Sequence, residues 1–336
     1  MLFRSVVTAP ARRVAVAILV GASMTALATA LPSAVGADPT APLRLQVFNR
    51  SDEPADVVRL TPGGQPEPAA RIAPGAWAIV PADREAAFAV VGAESGAEET
   101  VTARLAVQAF VFRPGPDDAE PGDAVGEGRV IAPPASLKVD PFHAKFTSAG
   151  GFPIVGSERV SDFALLEAAR LVDAMLACRD DVRRALVDSG TRLCILAHDE
   201  YTTDLPEFAF LAADAPREFA GLSGRDFWDA RARGTGGSET DPYCSCGEEN
   251  LLGYEGDPYA AECILIHEFA HAIHLRGMAN VDASFDGRLR AAYEAALADG
   301  LWKGTYASVN HHEYFAEGVQ SWFDDNRVDD HDHNHV

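Results

Sequence analysis

The chain has 336 residues, 47% of them hydrophobic, and carries 50 Asp and Glu against 28 Lys and Arg, a formal net charge of −22. Such a field repels nucleic acid and anionic lipid, so neither is expected as a partner. The length exceeds what one hydrophobic core usually serves, and two domains are expected.

Arg4, Arg12 and Arg13 precede an apolar, acid-free run from Val14 to Leu31, with small residues at Val35 and Ala37. Residues 1–37 therefore read as a secretory signal cleaved before Asp38, which places the chain outside the cytoplasm, extracellular or periplasmic. Gly21, Ser23 and Thr25 interrupt the run and argue against a permanent anchor, and no later segment is long and apolar enough to span a bilayer.

Residues 38–113 read as an all-β sandwich. Strands are expected at Leu43–Phe48, Ala55–Leu60, Ala76–Val80, Ala87–Val91 and Val101–Phe112, separated by turns such as Pro62-Gly63-Gly64 and Pro74-Gly75. Residues 114–134, rich in Pro, Gly and acid, read as a linker. From 135 to 326 the periodicity changes to that of an α+β domain. Helices are expected at Ser161–Ala177 and Asp181–Leu186, a strand at Thr191–Ala197 and a polar loop at Gly234–Gly253. A long helix is expected from Pro258 to Arg276, capped by Asp257 and stopped by Gly277, and further helices at Phe285–Ala298 and Asn310–Phe323. Residues 327–336 form an acidic, histidine-rich tail, expected to be disordered with weak adventitious metal binding.

All five cysteines, Cys178, Cys194, Cys244, Cys246 and Cys263, lie in the second half. Export favours disulfides, with Cys178–Cys194 and Cys244 or Cys246 with Cys263 as the short-range pairings. Cys244-Ser245-Cys246 as a metal site is the weaker alternative, because no second closely spaced pair accompanies it.

The chemistry concentrates on His267-Glu268-Phe269-Ala270-His271. Two histidines four residues apart project from one helical face within reach of one ion, and Glu268, beside the first, is placed to take a proton from water. The plain alternative is a pair of hydrogen-bonded structural histidines, but polar residues inside an apolar helix flanked by Ile264, Leu265, Ile266 and Ile273 need a reason. A third ligand is required. Glu313-Tyr314-Phe315-Ala316-Glu317 offers two carboxylates one turn apart, and either could serve; the bland readings are a capping box of Asn310 with Glu313 and a surface charge at Glu317. His274, seven residues after His267 on the same face, competes, and is expected beside the site or exposed.

These two motifs resemble those of the gluzincin metallopeptidases, specifically the lethal-factor type of catalytic domain, over about Glu262–Phe323. The resemblance implies a zincin-like mixed sheet with an edge strand above the active-site helix, where an extended peptide adds as a further strand, with Thr191–Ala197 a candidate for part of that sheet. It implies one zinc held by His267, His271 and Glu313, Glu268 as catalytic base, Glu317 as a partner of a zinc histidine, and Tyr306 as a donor to the oxyanion. The function so implied is a secreted zinc metalloendopeptidase acting on a peptide or protein. The alternatives are a binding protein with a structural zinc and a zinc amidase for a non-peptide amide.

Residues 38–113 resemble the von Hippel-Lindau β domain through Phe48-Asn49-Arg50-Ser51, Gly64-Gln65-Pro66-Glu67-Pro68 and Pro74-Gly75. Arg59 and Ala69 stand where that family's pocket has aromatic side chains, so the sandwich carries over and its binding function does not, although a ligand or protein partner for the sandwich is still expected. Asn49-Arg50-Ser51 also fits a glycosylation acceptor.

Overall fold

The chain builds its first sandwich from period-two strands. In the computed structural model, which describes residues 43–63, 65–114, 126–213 and 221–326, β1 (Leu43–Asn49), β4 (Trp77–Ala82) and β7 (Val107–Phe112) form a sheet of order β4-β1-β7. A second sheet, β3-β2-β5-β6, contains β2 (Ala55–Leu60), β3 (Glu67–Ile72), β5 (Ala87–Gly92) and β6 (Glu98–Thr102). Leu45 and Val47 of β1 and Phe112 of β7 pack between these sheets with Val57, Phe88 and Val90. The strand expected as Val101–Phe112 is two strands, because the chain crosses from one sheet to the other between Thr102 and Val107. Strand β3 was not foreseen. Pro66 and Pro68 argue against a central strand, and the structure accommodates Pro68 at the sheet edge.

The alternate residues of β1 and β7 face the other way. Phe48, Ala109 and Val111 join Phe146, Val155, Cys194, Leu196 and Tyr243 of the following region in one apolar layer. Polar links border it: the Gln46 amide donates to the Thr240 carbonyl at 2.5 Å, and the Asn280 side chain bonds both backbone groups of Val107 at 3.0 Å. Sandwich and α+β region thus share a buried layer and belong to one compact unit. Residues 126–134 of the expected linker are part of this construction, since Ile131 exchanges backbone hydrogen bonds with Phe146 at 2.8 and 2.9 Å; its other described residues end at Pro114. Asn49 is fully buried, its amide donating to the Glu53 and Ile72 carbonyls, so it is no glycosylation site.

The α+β region is a five-stranded mixed sheet of order β11-β12-β10-β9-β8, from β8 (Lys145–Ala149), β9 (Phe152–Gly156), β10 (Arg192–Leu196), β11 (Gly234–Thr235) and β12 (Tyr243–Gly247). The central three are parallel and the two outer strands antiparallel. Both faces are covered, which is why β9 and β10 read as largely apolar runs. Leu193, Ile195, Cys244 and Cys246 face helices α1 (Asp162–Met175) and α2 (Asp180–Asp188), while Cys194, Leu196 and Tyr243 face the sandwich. Helix α1 buries Ala164, Leu165, Ala168, Ala169 and Val172, a single stripe.

Further helices are α3 (Gly224–Arg231), α4 (Glu248–Leu252), α5 (Ile264–Ala272), α6 (Ala279–Val281), α7 (Phe285–Ala298) and α8 (His311–Trp322). The expected loop Gly234–Gly253 therefore carries β11, β12 and α4. The expected helix start at Asp257-Pro258 is a turn instead: Asp257 accepts from the Tyr259 backbone at 2.9 Å, and Asn250 ties the Tyr259 and Glu262 carbonyls and the Ile264 N–H, so α5 begins only at Ile264. Gly277 does not end the helix, which widens into a π turn over Ile273–Met278. A Cβ on Gly277 would stand 2.7 Å from Val182 Cγ1, so the glycine serves the close approach of α2.

None of the five cysteines is bonded to another. Cys178 is exposed beyond α1, whereas Cys194 is fully buried in the central strand, and Cys244 and Cys246 both point into the helical core. The pairings expected from sequence distance are therefore not formed. Burial pushes the Cys244 thiol up to about 12, which disfavours the thiolate that a metal would need. No helix among the described residues is long and apolar enough to cross a membrane. The expected signal, residues 1–37, and the tail, 327–336, lie outside the described residues.

Candidate metal centre

Helix α5 is held against the sheet by its apolar side, where the Phe269 ring lies 5.1 Å from that of Phe152. This leaves the other side to face α8. His267 Nε2 lies 3.1 Å from Glu313 Oε2 and 3.2 Å from His271 Nε2, and His271 Nε2 lies 3.3 Å from the same Glu313 oxygen. The three atoms form a nearly equilateral triangle, one of three groups among the described residues that could hold a metal ion.

Helix α8 starts where Asn310 Oδ1 accepts from the His312 and Glu313 backbones at 2.8 and 2.9 Å. The N-cap expected at Asn310 is present, but the Glu313 carboxylate points to the histidines. Glu317, one turn on, is fully buried with Oε1 3.5 Å from His267 Nδ1, so it is neither a surface charge nor part of the triangle. Tyr306 opens the turn before α8, its ring 5.9 Å from that of His267.

Gln320 is the partner that the sequence reading missed. Its Oε1 stands 2.8 Å from His267 Nδ1, while its amide nitrogen donates to Glu262 Oε2 at 3.1 Å and to the Asp325 carbonyl. The two acceptors on the amide side orient the group, so His267 Nδ1 carries the proton and donates. In its neutral form the ring would then present a bare Nε2 lone pair to the Glu313 carboxylate. Two acceptors 3.1 Å apart repel unless positive charge lies between or on them. Burial lowers the His267 pKa, but the Glu313 hydrogen bond and the charges of Glu268, Glu313 and Glu317 outweigh it and lift the group to about 10. Conversely, burial raises Glu313, and its bonds to His267 and His271 override that and hold it far below the usual carboxylate range. The cluster is short of cationic charge.

Glu268 lies half-buried beside this cluster, its carboxyl raised above the ordinary value chiefly by desolvation, against the pull of both histidines. The segment following β11 runs across the same side of α5. A Cβ on Gly236 would meet His271 Cβ and Cδ2 at 2.8 Å and Glu268 Oε2 at 2.9 Å, and one on Gly237 would meet Ala272 Cβ at 3.0 Å. Consecutive glycines therefore let the backbone lie directly against the histidine helix. Composition alone gave this segment the look of a loop.

His274 is 2% exposed, so it is not on the surface. The π turn carries it away from the triangle to Asp286, with Nε2 3.0 Å from Oδ1. A third group, His143, Cys194 and Glu207, lies under the sandwich. There His143 Nε2 contacts both Glu207 oxygens at 3.0 Å. Neither a protein-family model nor a curated protein sequence matches this chain.

Proposed function

We propose that this protein is a secreted zinc metallopeptidase with a zincin-like catalytic region, in which His267, His271 and Glu313 hold the ion and Glu268 is the general base. The observation that carries the reading is the triangle of ligand atoms. Zinc bonds to nitrogen and oxygen of about 2.0–2.1 Å in a tetrahedron give neighbouring ligands about 3.3 Å apart, and the three separations here are 3.1, 3.2 and 3.3 Å. Two neutral imidazoles and one carboxylate are a donor set that suits zinc and leaves a fourth corner open, as catalysis requires and a structural site does not.

When bound, zinc polarises a carbonyl oxygen and lowers the pKa of water. Glu268 takes a proton from the attacking water and then passes it to the leaving amine. The Gln320 carbonyl fixes the tautomer of His267 and so the direction of its lone pair. Tyr306, at the rim beside His267, is assigned hydrogen-bond donation to the oxyanion. The antiparallel edge strand β11 and its glycine-rich continuation, lying along α5, support an extended peptide as the substrate class, added as a further strand. Glu268 also weighs against a purely structural zinc.

The test is Glu268→Gln. Zinc content should equal that of the wild type while kcat for a cleaved peptide falls by roughly 10²–10⁴-fold; a Glu268→Gln protein with full activity removes Glu268 from the mechanism.

A further inference from the structure

The described residues contain a second built cluster that the proposed reaction does not use. His274 projects from the π turn, Asp286 from the first turn of α7, and His311 and His312 from the first turn of α8. His274 Nε2 and His311 Nε2 approach the same Asp286 oxygen at 3.0 and 2.9 Å. One ligand atom each from His274, Asp286 and His312 lie within 4.8 Å of one another.

Hydrogen bonding alone accounts poorly for this arrangement. Asp286 serves two of the rings, yet the His312 ring makes no hydrogen bond among the described residues, although it stands 5.2 Å from the His274 ring and 4.2 Å from that of His311. His274 is buried between Phe285 and Phe315, and its Nδ1 has no hydrogen-bond partner. Two imidazoles on one carboxylate oxygen, with the unbonded His312 ring beside them, form a donor set lacking an acceptor of lone pairs.

We infer that His274, Asp286 and His312 form a second site for a divalent transition-metal ion of the zinc class. Imidazole nitrogen with a single carboxylate suits such ions, whereas calcium and magnesium prefer shells of oxygen. The site cross-links three elements distant in sequence: the continuation of the His267 helix, α7, and the start of α8. His312 immediately precedes Glu313, so an ion there fixes the end of α8 that delivers the third ligand of the first site. The role is structural, because the ion would tie the three elements together. It follows that zinc should stabilise the fold even when the first site has been destroyed.

The full-length chain, loaded with zinc and dialysed, is assayed by mass spectrometry for metal per chain, alongside a first-site variant (His267→Ala with Glu313→Gln) and a second-site variant (Asp286→Asn with His312→Gln). Each should hold one equivalent fewer than wild type. The zinc-dependent rise in Tm should persist in the first-site variant and shrink in the second-site variant. If the second-site variant retains the wild-type zinc content, the second site is refuted while the peptidase reading stands. If the second-site variant alone loses zinc, the second site stands and the first-site assignment fails. His274 is left in place because its burial makes a substitution liable to unfold the chain. The half-buried His312→Gln alone, checked by circular dichroism, should also lose the equivalent; a folded His312→Gln protein with undiminished zinc content overturns the proposal.

Discussion

Gln320 offers the sharpest test of how the centre is tuned. Replacement by leucine keeps the side-chain volume and removes the acceptor 2.8 Å from His267 Nδ1. The nearest substitute is Glu317 Oε1 at 3.5 Å, too far for a good hydrogen bond without movement of α8. Gln320 is fully buried, so water does not readily replace it. A buried donor left unsatisfied costs about 1–3 kcal/mol, which at about 1.4 kcal/mol per decade corresponds to a loss of roughly 5- to 150-fold in zinc affinity. The range agrees with the roughly 10–100-fold typical when an outer partner of a metal-bound histidine is removed. Competition with a chromophoric chelator measures the affinity, and kcat at saturating zinc should change far less than the affinity does. Glu317→Gln alone should have a smaller effect, and the double variant a larger one than the two singles summed, because each residue is the other's fallback. An affinity for zinc in Gln320→Leu within threefold of wild type would refute the account of His267.

Three further outcomes follow from the same geometry. Gly236→Ala should impair both zinc binding and turnover, because the new Cβ would fall 2.8 Å from His271 and force the segment or the helix to move, at a cost of about 1–3 kcal/mol; a melting temperature and zinc affinity equal to wild type would contradict the close approach. Burial raises the Glu207 carboxyl, but its bond to His143 outweighs this and holds it at about 2, below the ordinary 4.5. Its contribution to stability is thus present above pH 4.5 and lost as pH falls towards 2. Denaturant titrations should therefore show wild type ahead of Glu207→Gln near neutrality and the gap closing on acidification, and a gap independent of pH would dispose of the reasoning. Finally, Phe48→Ala should destabilise the α+β region as well as the sandwich, by about 3–5 kcal/mol, since that ring belongs to the shared layer, 5.5 Å from Tyr243. Separate unfolding of the two regions with only the first affected would argue against a shared core.

Much of the architecture is written in local pattern. Strands β1, β2 and β5 and helices α1, α2 and α7 follow from alternation or helical spacing because each buries one face against a neighbour. What escaped is where tertiary contact overrides local signal. Asp257-Pro258 has the chemistry of a helix start, yet Asn250, reaching across from α4, holds the segment as a turn. Gly277 resembles a stop but lies inside a continuous helix because α2 needs the space. The Gly234–Gly237 run reads as loop, since nothing in a polar, glycine-containing sequence announces that a histidine helix will lie beneath it. At the candidate centre, His267 and His271 are legible because four-residue spacing alone brings them together. Glu313 came from resemblance to a family motif, with Glu317 left open by the residues themselves, and the fold brings only Glu313 into the triangle. Gln320 had no signal: an amide nine residues past the N-terminus of α8 becomes a histidine's partner only once α8 is laid against α5. His274 was displaced from its expected face by the π turn, a departure from 3.6-residue geometry that sequence spacing does not reveal.

The central claim is tested most directly by incubating the purified full-length protein with an unbiased peptide library, before and after removal of metal by a chelator and again after zinc is restored. The account predicts internal cleavage of peptides that disappears on chelation, returns with zinc, and is absent throughout in Glu268→Gln. A protein that carries zinc at His267, His271 and Glu313 and still leaves every peptide intact would contradict it.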